Sequence, residues 1–291
     1  MAQHRQQRAA PQPTWWRKFF NTPKGLVFFS LLLVMVIGAL HPSDAGGVKI
    51  VGVAMVTGIL CDMVMGLVHR NKRWWFGDGG AITGLIIGLV LSSLTPILVT
   101  VLTTIVAMAS KHLLKRGRMP VFNPAAFGLL VAIYAFHTGQ SWWGDFADLP
   151  TWCIVLLLFI GFFVVKRVNK FPLVLTFLGS YFALLAVAGY LHFGSAAFTP
   201  GDALRMPIVN SAVFMALFML TDPPTSPAKY KDQIMFALIT AVLSVAIYLI
   251  FGGLTYLLIG LLVANSWYKW KAARRSSAKV PVQPLSRMAQ P

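Results

Sequence analysis

The chain contains no glutamate, and its eight acidic residues are all aspartates. Charged residues make up 11% of its 291 positions, against 57% apolar ones. A soluble domain of this length carries charge on about a quarter of its residues, so a polytopic membrane protein is indicated and soluble-type catalysis is disfavoured. Cysteine is equally scarce. Cys61 and Cys153 each lie in an apolar run without CxxC spacing, which points to neither a disulfide framework nor a metal site. Dinucleotide, Walker, serine-hydrolase and zinc-protease motifs are missing from any suitable context. The N-terminus is polar and basic through Lys24, unlike a secretory signal, so the first apolar run reads as a retained helix.

What is present is apolar length and positive charge. Mean hydropathy is +0.71 and the formal net charge +17. The basic residues are dispersed between apolar runs and form no single patch, so nucleic acid is not an expected partner and membrane lipid is. Ten segments of roughly bilayer-spanning length follow, at 25–40, 48–68, 79–94, 96–114, 123–137, 150–166, 172–192, 207–221, 233–251 and 254–268. If the N-terminus is cytoplasmic, 23 of the 25 Lys and Arg fall in cytoplasmic segments, leaving only Lys49 and Arg205 outside. A wrong segment count would scramble that bias, so both termini are expected to be cytoplasmic. Trp74-Trp75, Trp142-Trp143, Trp267 and Trp270 sit at segment ends and read as interfacial anchors. Asp44, Asp145, Asp148 and Asp202 read as exterior loop charges.

Gly128-Leu129-Leu130-Val131-Ala132 recurs as Gly260-Leu261-Leu262-Val263-Ala264. Residues 88–96 resemble 217–223 at a nearly equal offset. Two units of five helices would have opposite orientations, giving inverted repeats with a site where interrupted helices meet.

Several polar residues stand out against this background. Asp62 lies inside the second apolar segment, and it either faces a cavity or partner or reaches the interface and Arg70. Asp78, before Gly79-Gly80, either caps a helix or hydrogen-bonds a ligand. Gly84-xxx-Gly88 is the kind of spacing that packs helices. Asn123-Pro124 has the form of an N-cap followed by a first-turn proline, or of a ligand contact. Thr221-Asp222-Pro223-Pro224-Thr225-Ser226-Pro227 holds more proline than a turn requires and reads as a rigid polar re-entry. His137 and His192 end apolar segments singly, which suits interfacial packing better than metal ligation.

Three ordered stretches, Asp78–Leu85, Gly117–Gly128 and Phe218–Pro227, resemble motifs of NqrB and RnfD. Those are the membrane subunits of the sodium-pumping NADH:quinone reductase and of the Rnf electron-transport complex. The resemblance covers about residues 24–268, with basic tails at 1–23 and 269–291. It implies an all-α fold of about ten transmembrane helices in two inverted five-helix repeats, similar to urea and ammonium channels, in a bacterial plasma membrane. It also implies a flavin within the bundle, electron transfer possibly coupled to ion movement, and other Rnf- or Nqr-like subunits as partners. Asp78, Thr83, Asn123, Pro124, Thr221, Asp222 and Thr225 match motif positions and are the implied cofactor-binding residues. Lys115, Arg116 and Arg118 are candidate phosphate contacts. Family members esterify FMN to a threonine in an S/T-G-A-T segment; here the matching loop, 137–148, lacks it. FMN or riboflavin is therefore expected to bind without a covalent link. A small-molecule or flavin transporter of the same fold is the alternative, and an assembly scaffold a third reading.

Overall fold

A computed structural model of the chain describes residues 22–68, 77–117, 119–193, 205–253 and 255–277. Those residues form ten helices and one minimal hairpin. Helices α1 to α5 are Pro23–Gly38, Gly47–Val68, Asp78–Val90, Ile97–Leu113 and Pro124–Phe136. After them come α6 to α10, Cys153–Val168, Phe171–Tyr190, Met206–Phe214, Tyr230–Phe251 and Tyr256–Ser277. Between α4 and α5, Lys115–Arg116 pairs antiparallel with Met119–Pro120. A single π turn, Met215–Met219, extends α8.

Helices α2, α7 and α9 are long and apolar enough to cross a membrane, with mean hydropathies of 2.1, 2.0 and 2.7. Shorter apolar helices, α3 and α5 among them, fill the middle. The outward faces carry large apolar side chains such as Leu60, Val64, Phe159, Phe162 and Leu175. So much exposed hydrocarbon suits a lipid surround and not water.

Local chemistry explains where helices begin and end. Thr22 caps α1 by accepting from the Gly25 amide, with Pro23 at the first helical position. Asn123 and Pro124 do the same for α5, the Asn123 Oδ1 accepting from Ala126 N at 3.1 Å. Residues with positive φ stop α5 at His137 and α6 at Asn169.

Small residues set the tightest packing. Gly80, Gly84 and Gly88 lie one turn apart on α3 and rest against Gly58, Ala54 and Val51 of α2. A Cβ at any of these three glycines would overlap the α2 backbone. Gly84-xxx-Gly88 is therefore a packing stripe. The two GLLVA glycines occupy matching settings. Gly128 on α5 sits over Thr103 O and Ala107 of α4, while Gly260 on α10 sits over Thr240 O and Ser244 of α9. Helix pairs also correspond, since α2 packs on α4 as α7 packs on α9. Across the halves, α1 meets α6 and α5 meets α10.

Three sequence expectations need correction. Trp142 and Trp143 are buried, each 2% exposed, and do not form an interfacial belt. The left-handed backbone at Trp142 (φ 52°) turns both indoles inward, and Trp143 Nε1 donates to Gly88 O at 2.8 Å. Asp44 and Asp145, expected as exterior loop charges, are both buried, Asp145 in the same turn and Asp44 just before α2. The last helix does not stop at 268 but continues to Ser277. Asp232 of α9 holds Arg275 at 2.7 Å and Lys271 at 3.0 Å, while Lys271 and Arg274 cover the rings of Trp267 and Trp270. Trp74-Trp75, Arg70, Arg118 and Asp202 lie outside the described residues, as do most of both tails.

Candidate functional site

One cavity of about 680 Å³ opens where the N-termini of α1, α3 and α5 meet the turn after α8. Its apolar walls include Val27, Ile82, Ile86 and Phe218, and its polar lining includes Lys24, Asp62, Asp78, Lys111 and Asp222.

The α3 edge is built on glycine. Gly77 precedes the helix with φ 59°, a conformation that lets the chain turn straight into α3. Asp78 is thus the first helical residue and not the cap. Its Oδ1 accepts from the Gly79 amide at 2.8 Å, and its Oδ2 accepts from Lys24 Nζ at 2.8 Å. This ion pair ties α1 to α3 at the cavity mouth.

Deeper in, Asp62 of α2 is 1% exposed. Lys111 Nζ lies 2.8 Å from both its oxygens, and His112 Nε2 lies 2.9 Å from Oδ1. All three side chains line the cavity. A carboxylate carried on a long apolar helix is thereby matched by cationic and imidazole groups from α4.

The third wall comes from two turns that are sewn together. The Asn123 amide N–H donates to Asn265 Oδ1 at 2.9 Å, and Asn123 Nδ2 donates to Met219 O at 3.0 Å. Asn265 Nδ2 in turn donates to Thr225 O at 3.2 Å. One asparagine on α10 therefore joins the Asn123-Pro124 corner to the Thr221–Pro227 turn. Within that turn, Thr225 Oγ1 donates to Asp222 Oδ2 at 2.8 Å and Ser226 Oγ donates to Asp222 O at 2.7 Å.

Prolines leave this turn with no regular backbone pattern, so its carbonyls find donors elsewhere. Lys269 Nζ donates to Pro224 O at 2.9 Å. Lys170 Nζ donates to Pro227 O, with Ser226 O at 3.5 Å. Burial pushes the Lys170 ammonium down to about 8, partly offset by the attraction of Asp222. Burial also raises the Asp222 carboxyl above its ordinary value, opposed by the Thr225 hydrogen bond and by Lys111, Lys170 and Lys24.

The sequence candidates thus fall around one space. Asp78, Thr83, Asn123, Pro124, Thr221 and Asp222 line the cavity; Thr225 stands behind Asp222 and orients it. Their roles differ. Thr83 and Thr221 hydroxyls donate to Gly79 O and Leu217 O, which leaves them able only to accept from a ligand. Asn123 spends its side chain on the cap and on Met219 O, so it shapes the wall. Asp78 and Asp222 remain the strongest acceptors. Lys115 reaches the cavity; Arg116 is not among its lining residues.

Around the site also stand Lys24, Lys111, His112, Lys170, Asn265 and Lys269, none of them among the residues that the sequence motifs single out. Only Asn265 left a signal, as an amide directly after the apolar echo 260–264. The lysines resemble ordinary topogenic charge. No protein-family model matches the chain, and no curated protein matches it.

Proposed function

We propose that this protein is a multi-pass membrane subunit that binds a flavin, FMN or riboflavin, non-covalently in the cavity at the α1, α3 and α5 N-termini, and serves electron transport of the Rnf or Nqr type. The observation that carries the proposal is convergence: residues from three motifs, as far apart as Asp78 and Asp222, line the same hollow. A volume of about 680 Å³ is of the size that holds a cofactor-sized molecule. Apolar walls around Ile82, Ile86 and Phe218 suit a flat ring system. Asp78 and Asp222 would accept from its N–H and hydroxyl donors, Thr83 and Thr221 would offer further acceptors, and Lys24, Lys111 and Lys115 lie where a phosphate would reach. Bound there, a flavin would supply one- and two-electron redox chemistry, and Asp62, Lys111 and His112 would supply the charged surroundings.

The same reading takes the ten helices as ten spans in two inverted five-helix repeats, with both termini cytoplasmic in a bacterial plasma membrane. Supporting it are the matched glycine settings of α4–α5 and α9–α10 and the paired contacts of α1 with α6 and α5 with α10. A transporter of the same fold is the second reading, favoured by the short α3 and the π turn of α8, which give the two halves interrupted central helices.

An absorbance spectrum of detergent-purified protein tests the first reading, followed by riboflavin and FMN titration of the apoprotein. Isoalloxazine bands released on denaturation are expected. The absence of both bound flavin and saturable uptake would sink it. Ligand flux in proteoliposomes without any redox partner would favour the transporter.

A further inference from the structure

The Thr221–Pro227 turn is held by three side chains that do not themselves touch the cavity. Lys269 takes Pro224 O, Asn265 takes Thr225 O, and Lys170 takes Ser226 O and Pro227 O. Four consecutive carbonyls are therefore bound from two directions. Asn265 and Lys269 are one turn apart on α10 and share a face. Lys170 comes from the corner between α6 and α7. Both lysines are buried, at 3% and 8% exposure. Burying an ammonium group is costly unless its donors are satisfied, so these lysines make structural sense only with their carbonyls in place.

The fixed end of this arrangement is Asp222. Its backbone carbonyl accepts from the Thr225 and Ser226 amides at 3.2 and 3.0 Å, and its carboxylate accepts from Thr225 Oγ1. Displacement of the carbonyl ladder would carry Thr225 with it and rotate the carboxylate off the cavity wall.

We propose that Lys170, Asn265 and Lys269 are positioning residues that clamp the 224–227 carbonyls and so aim the Asp222 carboxylate at a ligand N–H or O–H donor in the cavity. The assignment rests on the cavity being the ligand site proposed above. It extends that reading by making Asp222 the acceptor that selects a donor-bearing ligand, and by naming residues outside the cavity on which affinity depends.

The test uses the full chain in detergent, with riboflavin as the probe and hydrogen exchange at the Thr225 and Ser226 amides as a ligand-free readout. Lys170→Met is expected to speed exchange at both amides and to weaken riboflavin at least tenfold, with Lys170→Arg restoring most of each. In an Asp222→Asn background, Lys170→Met should weaken riboflavin further by less than threefold, because the acceptor it aims is already gone. Lys269→Gln serves as the milder variant should Lys170→Met fail to fold, with the same expectations in smaller measure. Unchanged exchange in a folded variant overturns the clamp. Faster exchange with unchanged riboflavin affinity, or full additivity with Asp222→Asn, overturns the aiming role. If the unaltered protein binds no riboflavin, the flavin reading and the aiming role fall together, and exchange alone then decides the clamp.

Discussion

The two ends of the short central helices contrast sharply. Where α3 begins and α8 finishes, lysines, aspartates and helix N-termini surround an open hollow. Where α3 finishes and α8 begins, Trp142, Trp143 and Phe146 are buried among the described residues. Each end holds an aspartate, half-buried at Asp222 and buried at Asp145, in different settings. Asp222 has Thr225 and lysines around it, whereas Asp145 has the Ala147 amide and two further aspartates, Asp44 and Asp148, nearby. Burial accordingly pushes Asp145 well above the usual carboxylate range, with those neighbours adding to the effect against the pull of the amide. One end turns charged groups toward an open space, and the described residues of the other bury aromatic rings.

The largest test of this contrast is at the closed end. Trp143→Ala removes an indole that fills the space between Gly38, Gly47 and Gly88. A loss of about 3–5 kcal/mol is expected, as for large aromatic truncations in a packed core. Urea or thermal unfolding in detergent should show it, while any surviving folded protein keeps its riboflavin affinity. A loss of affinity in protein that remains stable would mean the two ends are not independent.

The next effect belongs to pH. The Lys170 ammonium sits at about 8 in the folded chain, against an ordinary 10.5. Between those values the unfolded chain binds more protons, so this group's contribution to stability rises with pH across that window and is lost as pH falls through 8. Its full span is on the order of 3–4 kcal/mol. The thermal midpoint of the unaltered protein minus that of Lys170→Met, followed from pH 7 to 10, should climb. A flat difference would place Lys170 in water.

Asn123→Ala ranks third. It removes the α5 cap and the bond to Met219 O, and about 1–2 kcal/mol should be lost. Unlike Trp143→Ala, it should weaken riboflavin together with stability, because both turns of the open end depend on it. Lys24→Met is the smallest. Its ion pair with Asp78 is exposed at the lysine end, so stability should move by less than about 1 kcal/mol, and the measurement of interest is faster ligand entry.

How much of this was legible beforehand depends on the range of the interaction. Asn123-Pro124 announces a helix start because the cap is written within four residues. The glycine stripe on α3 is equally local. Asp62 was visibly anomalous, but its partners Lys111 and His112 are about fifty positions away, so only its need for a partner could be read. Lys170 and Lys269 bind backbone carbonyls, which every residue possesses, and no side-chain pattern records such a choice. The tryptophan pair misled for the opposite reason. An aromatic doublet at the edge of an apolar run looks the same whether it anchors in headgroups or folds inward, and the left-handed turn at Trp142 decides between them.

The π turn at Met215–Met219 carries one last consequence. Leu220 N reaches back five residues to Met215 O, so the helix holds one residue more than an α-helix would in that turn. Winding the same five residues as ordinary α-helix, with none removed, would swing everything downstream by about 100°. Asp222 would then turn away from the cavity it lines, although every helix stayed intact.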